Sequence, residues 1–241
     1  MKGYWRDSHA PRYSLLFALP LLLLYQVLVA LSPSDAGGGL RNGADVILQT
    51  LFTSIAGSRG PLIFMVCLVA AGLWLVVRDA RAHDRDLRPA VFALMLVEAV
   101  LLAVVFGGVV SLITSEILHA TTMLPPPQLN QLGPGARVML SLGAGLYEEL
   151  LFRVLLVGTL AWAGRRLLGF RPFVAGLWAA LLGAVVFAAF HYIGPYGDRL
   201  EVYSFVFRTI AGLAFSALFL LRGFGITAWT HALYDLFLLL R

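Results

Sequence analysis

The chain carries the charged stretch Glu148-Glu149-Leu150-Leu151-Phe152-Arg153 in the middle of an apolar run, residues 136–162, that is long enough to cross a bilayer. An ionisable side chain near the centre of a bilayer costs roughly 2.5–3.5 kcal/mol on insertion scales. A helix with a purely structural role would therefore carry leucine or alanine at these positions. The stretch predicts a membrane helix whose polar side chains have a use inside the bundle.

Helical spacing gives the two acids different surroundings. Glu149 and Arg153 are four residues apart, so they share a helix face and are predicted to form an ion pair. Glu148 is rotated by about 100° from Glu149 and has no cation three or four residues later. We interpret Glu149 as the neutralised acid and Glu148 as the acid available for chemistry. A charge pair that only holds helices together is the alternative.

Composition sets the class of protein. Of 241 residues, 60% are hydrophobic and 13% charged, and the mean hydropathy is +0.85. These values predict an all-α, polytopic transmembrane helix bundle that forms one domain over residues 1–241, and they argue against a soluble globular core. The single cysteine, Cys67, excludes a disulfide framework and a thiolate metal cluster.

The apolar runs predict about seven spans, at residues 13–31, 61–77, 90–113, 136–162, 173–193, 202–221 and 226–240. Pro20 is expected to break the first run, and a loop with Pro125-Pro126-Pro127 is expected after the third. Residues 44–56 are amphipathic but too short to cross, which predicts an interfacial or re-entrant helix, or a short helix packed on the bundle.

Charge distribution predicts an orientation. The arginines collect at the N-terminus, at residues 78–88 and 165–171, and at Arg222, so we expect these segments and the N-terminus to be cytoplasmic. The net charge of +5 is read as this topology signal, and no nucleic-acid partner is expected. Lys2 is the only lysine, a bias that favours a GC-rich bacterial genome and therefore a bacterial plasma membrane.

Further polar side chains lie inside the apolar runs. Such groups are expected to pair in the bundle interior or to line a wet cavity. His231 has Asp235 one turn later, so the carboxylate can orient or charge the imidazole. We predict that one cavity is lined by five of these groups, while Arg153 supports them and Glu98 and Arg208 are also buried: Glu148, Glu149, His191, His231 and Asp235.

Three mechanisms use this inventory. In the first, Glu148 is a general base that holds a water with His191, while His231 and Asp235 stabilise an oxyanion. In the second, His191, His231 and Glu148 bind zinc, and the metal activates the water. In the third, the acids and histidines form a proton or cation relay of a transporter. Neither a Gly-x-Ser-x-Gly elbow nor a His-Glu-x-x-His helix motif is present.

The ordered set Glu148-Glu149-x₃-Arg153, Phe187-x₃-His191 and His231-x₃-Asp235 resembles the CPBP (Abi) family of type II CAAX prenyl endopeptidases and bacteriocin-processing intramembrane proteases. The resemblance covers a motif-bearing core, residues 136–240. It implies an all-helical intramembrane endopeptidase that cleaves a membrane-associated protein or peptide, with membrane lipid as its surroundings. It also implies Glu148 as the general base and His191 and His231 as the motif histidines.

Two positions depart from the pattern of this family. Asp235 stands where Asn is common, and an ionised Asp cannot donate a hydrogen bond to an oxyanion. Val154 stands where Gly often follows the arginine. Members of the family have been described both as metalloproteases and as glutamate-type proteases, so no cofactor is assigned and zinc stays possible. A non-catalytic scaffold of the bacteriocin-immunity type is a further alternative.

Overall fold

The computed structural model describes residues 2–32, 40–83, 86–119, 132–194 and 197–239, and these residues form helices joined by short connections, without a strand. Prolines stand in the first turn of several helices, where the missing N–H costs no intrahelical bond. The predicted all-α class is therefore confirmed for the described part of the chain. The helices are α1 (Lys2–His9), α2 (Pro11–Leu31), α3 (Gly43–Ala56), α4 (Gly60–Ala82), α5 (Pro89–Leu118), α6 (Pro134–Gly143), α7 (Gly158–Arg166), α8 (Pro172–Phe190), α9 (Val202–Arg222) and α10 (Phe224–Leu239).

Five helical stretches within the described residues are long and apolar enough to cross a membrane, which makes the chain a multi-pass membrane protein. They are Pro11–Leu31, Gly43–Ala82, Pro89–Leu118, Pro172–Phe190 and Val202–Arg222. The predicted count of seven is not confirmed. The fourth predicted span is not among these five stretches, and the seventh corresponds to α10, which is 16 residues long.

The fourth predicted span forms one continuous helical run from Pro134 to Arg166. Its middle part, Ala144–Val157, is π-helical and is called the π segment below. π-helical turns are rare and are frequently found at functional sites. All of the charged stretch 148–153 lies in the π segment, so the acids stand on a wider helical turn than the sequence indicates.

Pro20 does not break α2, so that prediction is wrong. The helix continues from Pro11 to Leu31 through the proline. Pro20 lies on the exposed face of α2. An interior proline removes its own N–H and crowds the carbonyl of residue i−4, but membrane helices tolerate such positions, and α2 continues through Pro20.

α3 and α4 form a helical hairpin. A 3₁₀ turn, Gly57–Arg59, joins them, and Gly57 has φ 59°, a left-handed conformation that favours glycine. A Cβ atom on Gly60 would collide with the backbone of Thr53, so the reversal requires glycine there too. The amphipathic helix predicted at 44–56 is therefore packed along α4, and it also contacts the π segment.

The exposed and buried faces of α3 have the polarity expected of a helix in a membrane. Ile47, Leu51 and Ile55 are exposed on the outer face, whereas Asp45 is fully buried. An apolar outer face is stable where lipid replaces water. The polar N-terminal end of α3, with its N-cap Asn42, therefore faces the interior of the bundle.

α10 lies at the centre of the fold. It contacts α2, α5, α6, α9 and the π segment. A Cβ on Gly145 would collide with the carbonyl oxygen of Ala228, so the π segment approaches the backbone of α10 directly. At the start of α10, the Gly225 amide donates to Ser14 Oγ at 2.7 Å, and Trp229 Nε1 donates to the Phe17 carbonyl at 2.6 Å. This packing holds His231 beside the acids of the π segment.

Candidate active site

Glu149, Arg153 and His231 form a buried charged group between the π segment and α10. Arg153 Nη1 lies 3.1 Å from Glu149 Oε1, so the ion pair expected from the four-residue spacing is formed. His231 Nδ1 lies 2.7 Å from the same oxygen, and because a carboxylate only accepts, Nδ1 carries the hydrogen. The exposed fractions are 0%, 1% and 4% for Glu149, Arg153 and His231, so water does not screen this group.

Aromatic rings and a carbonyl oxygen complete the surroundings of Arg153 and His231. The guanidinium carbon lies 4.4 Å from the ring centroid of Phe187 and 5.3 Å from that of Phe215. Arg153 Nη2 donates to the Gly212 carbonyl at 3.4 Å. The His231 ring stacks on Phe215 with centroids 4.3 Å apart. Cation–π contacts and stacking thereby fix both side chains in one geometry.

Glu148 takes its hydrogen bond from a different part of the chain. Asn42 Nδ2, at the start of α3, donates to Glu148 Oε1 at 2.9 Å. The second oxygen, Oε2, is buried and has no hydrogen-bond partner among the described residues. Glu148 is thus enclosed, held through one oxygen, and has acceptor capacity left on the other.

His191 is the first residue after α8. Its Nδ1 lies 2.9 Å from the Phe187 carbonyl oxygen, so Nδ1 donates and the neutral ring keeps a lone pair on Nε2. The rings of His191 and His231 both pack against the ring of Phe187, with centroid distances of 4.9 and 6.2 Å. The two histidines therefore lie around one aromatic ring, and His231 also binds Glu149 of the π segment.

Asp235 is more loosely attached than the spacing on α10 suggests. Its Oδ2 lies 3.8 Å from His231 Nε2, which is too long for a hydrogen bond. The side chain of Asp235 is 29% exposed, whereas Glu149 is fully buried. Glu149, not Asp235, is thus the hydrogen-bond partner of His231, a contact that the sequence does not indicate because the two residues are 82 positions apart.

The other buried ionisable residues of the sequence analysis form pairs of their own. Glu98 binds Arg222 through two hydrogen bonds of 2.5 and 2.7 Å, and Arg208 pairs with Asp198. Asn42 is a residue that the sequence analysis missed. An Asn directly before the helix, with Asp45 in its first turn, is a capping signal, but that signal does not indicate a contact with Glu148.

The residues present do not fit the zinc alternative. Among the described residues, no group of three or more His, Cys, Asp or Glu side chains is arranged to hold a metal ion. We therefore derive no step through a metal.

A known family is similar to the C-terminal part of the chain. Residues 131–237 match the family model described as "Rce1-like: Type II CAAX prenyl endopeptidase Rce1-like". This part of the chain, somewhat less than half of it, is therefore similar to a protease family. The match contains the π segment, His191, His231 and Asp235. Neither the comparison with curated proteins nor the comparison with solved structures gives a match.

Proposed function

We propose that the chain is an intramembrane endopeptidase in which Glu148, with His191, activates a water that hydrolyses a peptide bond. One observation carries the proposal. Glu148 is buried, is held through Oε1, and has no hydrogen-bond partner for Oε2 among the described residues. A buried polar atom without a partner is expensive, and a water bound there would satisfy it.

In the proposed reaction, Glu148 transfers the proton and His191 orients the water. Glu148 accepts a proton from the water as the water oxygen forms a bond to the carbonyl carbon of the substrate, and the carbonyl oxygen becomes an oxyanion. When the carbon–nitrogen bond breaks, Glu148 returns that proton to the leaving nitrogen. His191 Nε2 has a free lone pair and accepts the second hydrogen of the water, which orients the attacking oxygen.

In this proposal, His231 stabilises the oxyanion. Its Nδ1–H donates to Glu149, whose charge favours the imidazolium form, and the imidazolium has a second donor at Nε2 on the side of Asp235. Arg153 pairs with the same carboxylate oxygen and holds it beside His231. Asp235, where the family often has Asn, would act by favouring the charged ring and not by donating to the oxyanion.

The proposal includes a place in the membrane. The substrate is a membrane-associated protein or peptide that enters from the bilayer. The arginine-rich connections support a proposed orientation with the N-terminus on the cytoplasmic side of a bacterial plasma membrane. A prenylated CAAX peptide is a reasonable first probe because the matched family is named for it.

The test uses the purified full chain in liposomes with a panel of membrane-associated peptides, prenylated CAAX peptides among them. Cleavage by the wild type and its loss in Glu148→Gln are expected. A proton or cation flux that Glu148→Gln abolishes, without cleavage of any peptide, would favour the transporter instead. Folded protein that shows neither cleavage nor flux supports the scaffold alternative.

Metal dependence is tested in the same preparation. Cleavage is expected to continue in the presence of a chelator, because the proposed water activation uses Glu148 and His191 alone. Near-stoichiometric zinc in the active protein, with activity lost to the chelator and restored by added metal, would contradict this expectation.

A further inference from the structure

Asn42 connects the N-terminal part of the chain to Glu148. It lies 106 positions before Glu148 and outside the region that matches the Rce1-like family. The side chains of both residues are almost completely enclosed, each with an exposed fraction of 6%. A hydrogen bond between an amide and a carboxylate in such a place is charge-assisted and fixes the orientation of the carboxylate.

The chemistry of its neighbours determines which way the Asn42 amide points. Oδ1 accepts the backbone N–H of Ala44 at 2.9 Å as the N-cap of α3. Nδ2 faces Glu148 Oε1, which only accepts. The reversed amide would put oxygen against the carboxylate and NH₂ against an N–H group. Asn42 therefore presents a donor to Glu148.

A second layer of hydrogen bonds holds Asn42 itself. Its backbone N–H donates to Tyr25 Oη at 3.1 Å, and Tyr25 Oη donates to Asp45 Oδ2 at 2.8 Å. Asp45 is fully buried and also accepts from Arg41 at 2.9 Å and from Gln49 at 2.7 Å. The donor to Glu148 is therefore part of a connected polar network that joins α2 and α3.

Gly143 supplies the space for this contact. It is the last residue of α6, directly before the π segment that carries Glu148. A Cβ atom at position 143 would lie 2.7 Å from Asn42 Cβ and 2.6 Å from Tyr25 Cε2. A larger residue at 143 would therefore have to displace Asn42 or the Tyr25 ring that binds it.

We infer that Asn42 is a positioning residue for Glu148: its amide holds Oε1, so that Oε2 is the oxygen presented to the water. The inference rests on the proposed function, since it assigns to Asn42 the orientation of the base. The donor also favours the carboxylate form that the first step needs. Asn42 itself does not contact the reacting atoms.

The test compares two substitutions that keep the helix cap. Asn42→Asp retains an oxygen for the Ala44 N–H but replaces the donor to Glu148 by a second acid. Asn42→Ser retains a capping oxygen and adds no charge, so it serves if Asn42→Asp does not fold. Gln26→Leu is the matched control, because Gln26 Nε2 donates at 2.7 Å to Tyr147, the residue before Glu148, and not to Glu148.

In both Asn42 variants, kcat is expected to fall about 10- to 100-fold, as for a misplaced catalytic group, with little change in KM. In Asn42→Asp, the acid limb of the pH–rate profile is expected to move to higher pH, because a second acid disfavours an ionised Glu148. Gln26→Leu should leave kcat and the pH profile unchanged. Gly143→Ala should reproduce the loss of kcat without any change at residue 42.

The outcomes separate this inference from the proposed function. If Glu148→Gln is inactive while both Asn42 variants keep the kcat and pH profile of the wild type, the inference is wrong and the protease proposal stands. If Glu148→Gln remains active, Glu148 is not the base, and the positioning role inferred for Asn42 is wrong as well. An infrared spectrum of protein with ¹³C-labelled glutamate, taken against Glu148→Gln, tests the hydrogen bond without substrate. An unchanged Glu148 band in Asn42→Ser would also overturn the inference.

Discussion

Two acids in apolar helices, Glu98 and Glu148, differ in how completely their oxygens are bonded. Both oxygens of Glu98 accept hydrogen bonds, Oε1 from Arg222 Nε and Oε2 from Arg222 Nη2 and Tyr4 Oη. Glu148 accepts through Oε1 alone. Glu149 likewise has one oxygen, Oε2, without a partner among the described residues.

The difference distinguishes a structural charge pair from a candidate site. A saturated acid stabilises the fold and has no capacity to bind a further group. An enclosed acid with an unused oxygen is costly to the fold and is usually explained by a water, an ion or a catalytic role. Substitutions at Glu98, at Glu148 and at their neighbours test this difference.

The largest effect is expected for Glu148→Gln against Glu98→Gln. Loss of a general base lowers the rate about 10²- to 10⁴-fold, so Glu148→Gln should fold and lose cleavage. Glu98→Gln should retain kcat in the folded fraction and lose stability, by about 3 kcal/mol for a broken buried pair. Peptide cleavage and detergent-titrated unfolding of both variants provide the measurement. Equal losses of kcat in the two variants would contradict the assignment of different roles to Glu98 and Glu148.

Arg153→Leu should lower the folded yield, because it leaves the fully buried Glu149 with His231 as its remaining partner. Removing one partner of a buried pair costs about 3–5 kcal/mol. The double variant Glu149→Leu/Arg153→Leu should recover folded yield, since no charge is stranded, yet stay inactive. Size-exclusion profiles and unfolding curves check both. Normal folding of Arg153→Leu with loss of activity alone would place Arg153 in the substrate site.

His231→Phe should fold and lose most of its activity. Phenylalanine preserves the stacking on Phe215 but removes the donor to Glu149 and the proposed donor to the oxyanion. Removal of an oxyanion donor costs about 10²- to 10³-fold in kcat. Cleavage by His231→Phe and by His231→Gln should fall together. If the Phe variant cleaves normally, His231 is a structural partner of Glu149 only.

The smallest effect is expected for Tyr4→Phe, which removes the hydroxyl that donates to Glu98 and should cost about 1 kcal/mol without loss of activity. Burial, and next the hydrogen bond and charge of Glu98, raise the pKa of Tyr4 above its ordinary value. Stability from a raised pKa is complete below the unfolded value near 10 and is lost as the pH rises above it. The difference in the free energy of unfolding between wild type and Tyr4→Phe should therefore become smaller above about pH 10. A difference that becomes larger above pH 10 would contradict this explanation.

Much of the architecture and part of the site are predictable from the sequence. The apolar runs indicate the helices, because lipid requires long apolar segments with internal hydrogen bonds. The spacing of Glu149 and Arg153 predicts their ion pair, since it depends on one helix alone. Glu98 and Glu148 are each an acid in an apolar run, and the motif around Glu148 sets it apart, but neither sequence environment indicates how many of the carboxylate oxygens are bonded.

Contacts between distant segments are what the sequence does not reveal. The contacts of Glu149 with His231 and of Glu148 with Asn42 depend on how helices pack. Asp235 is adjacent to His231 in helical spacing, yet the closer carboxylate comes from another helix. The π segment and the continuity of α2 through Pro20 are likewise decided by packing and by the environment of one helix face, which periodicity does not report.

The central position of α10 limits how this protein can be recombined with its relatives. The Rce1-like match covers residues 131–237, but α10 is joined to the N-terminal part through Gly225 and Ser14 and through Trp229 and Phe17. A chimera that grafts the matched region onto a foreign N-terminal half would need to recreate both bonds at the same register. The sequence unit recognised by comparison is thus smaller than the unit that can be exchanged intact.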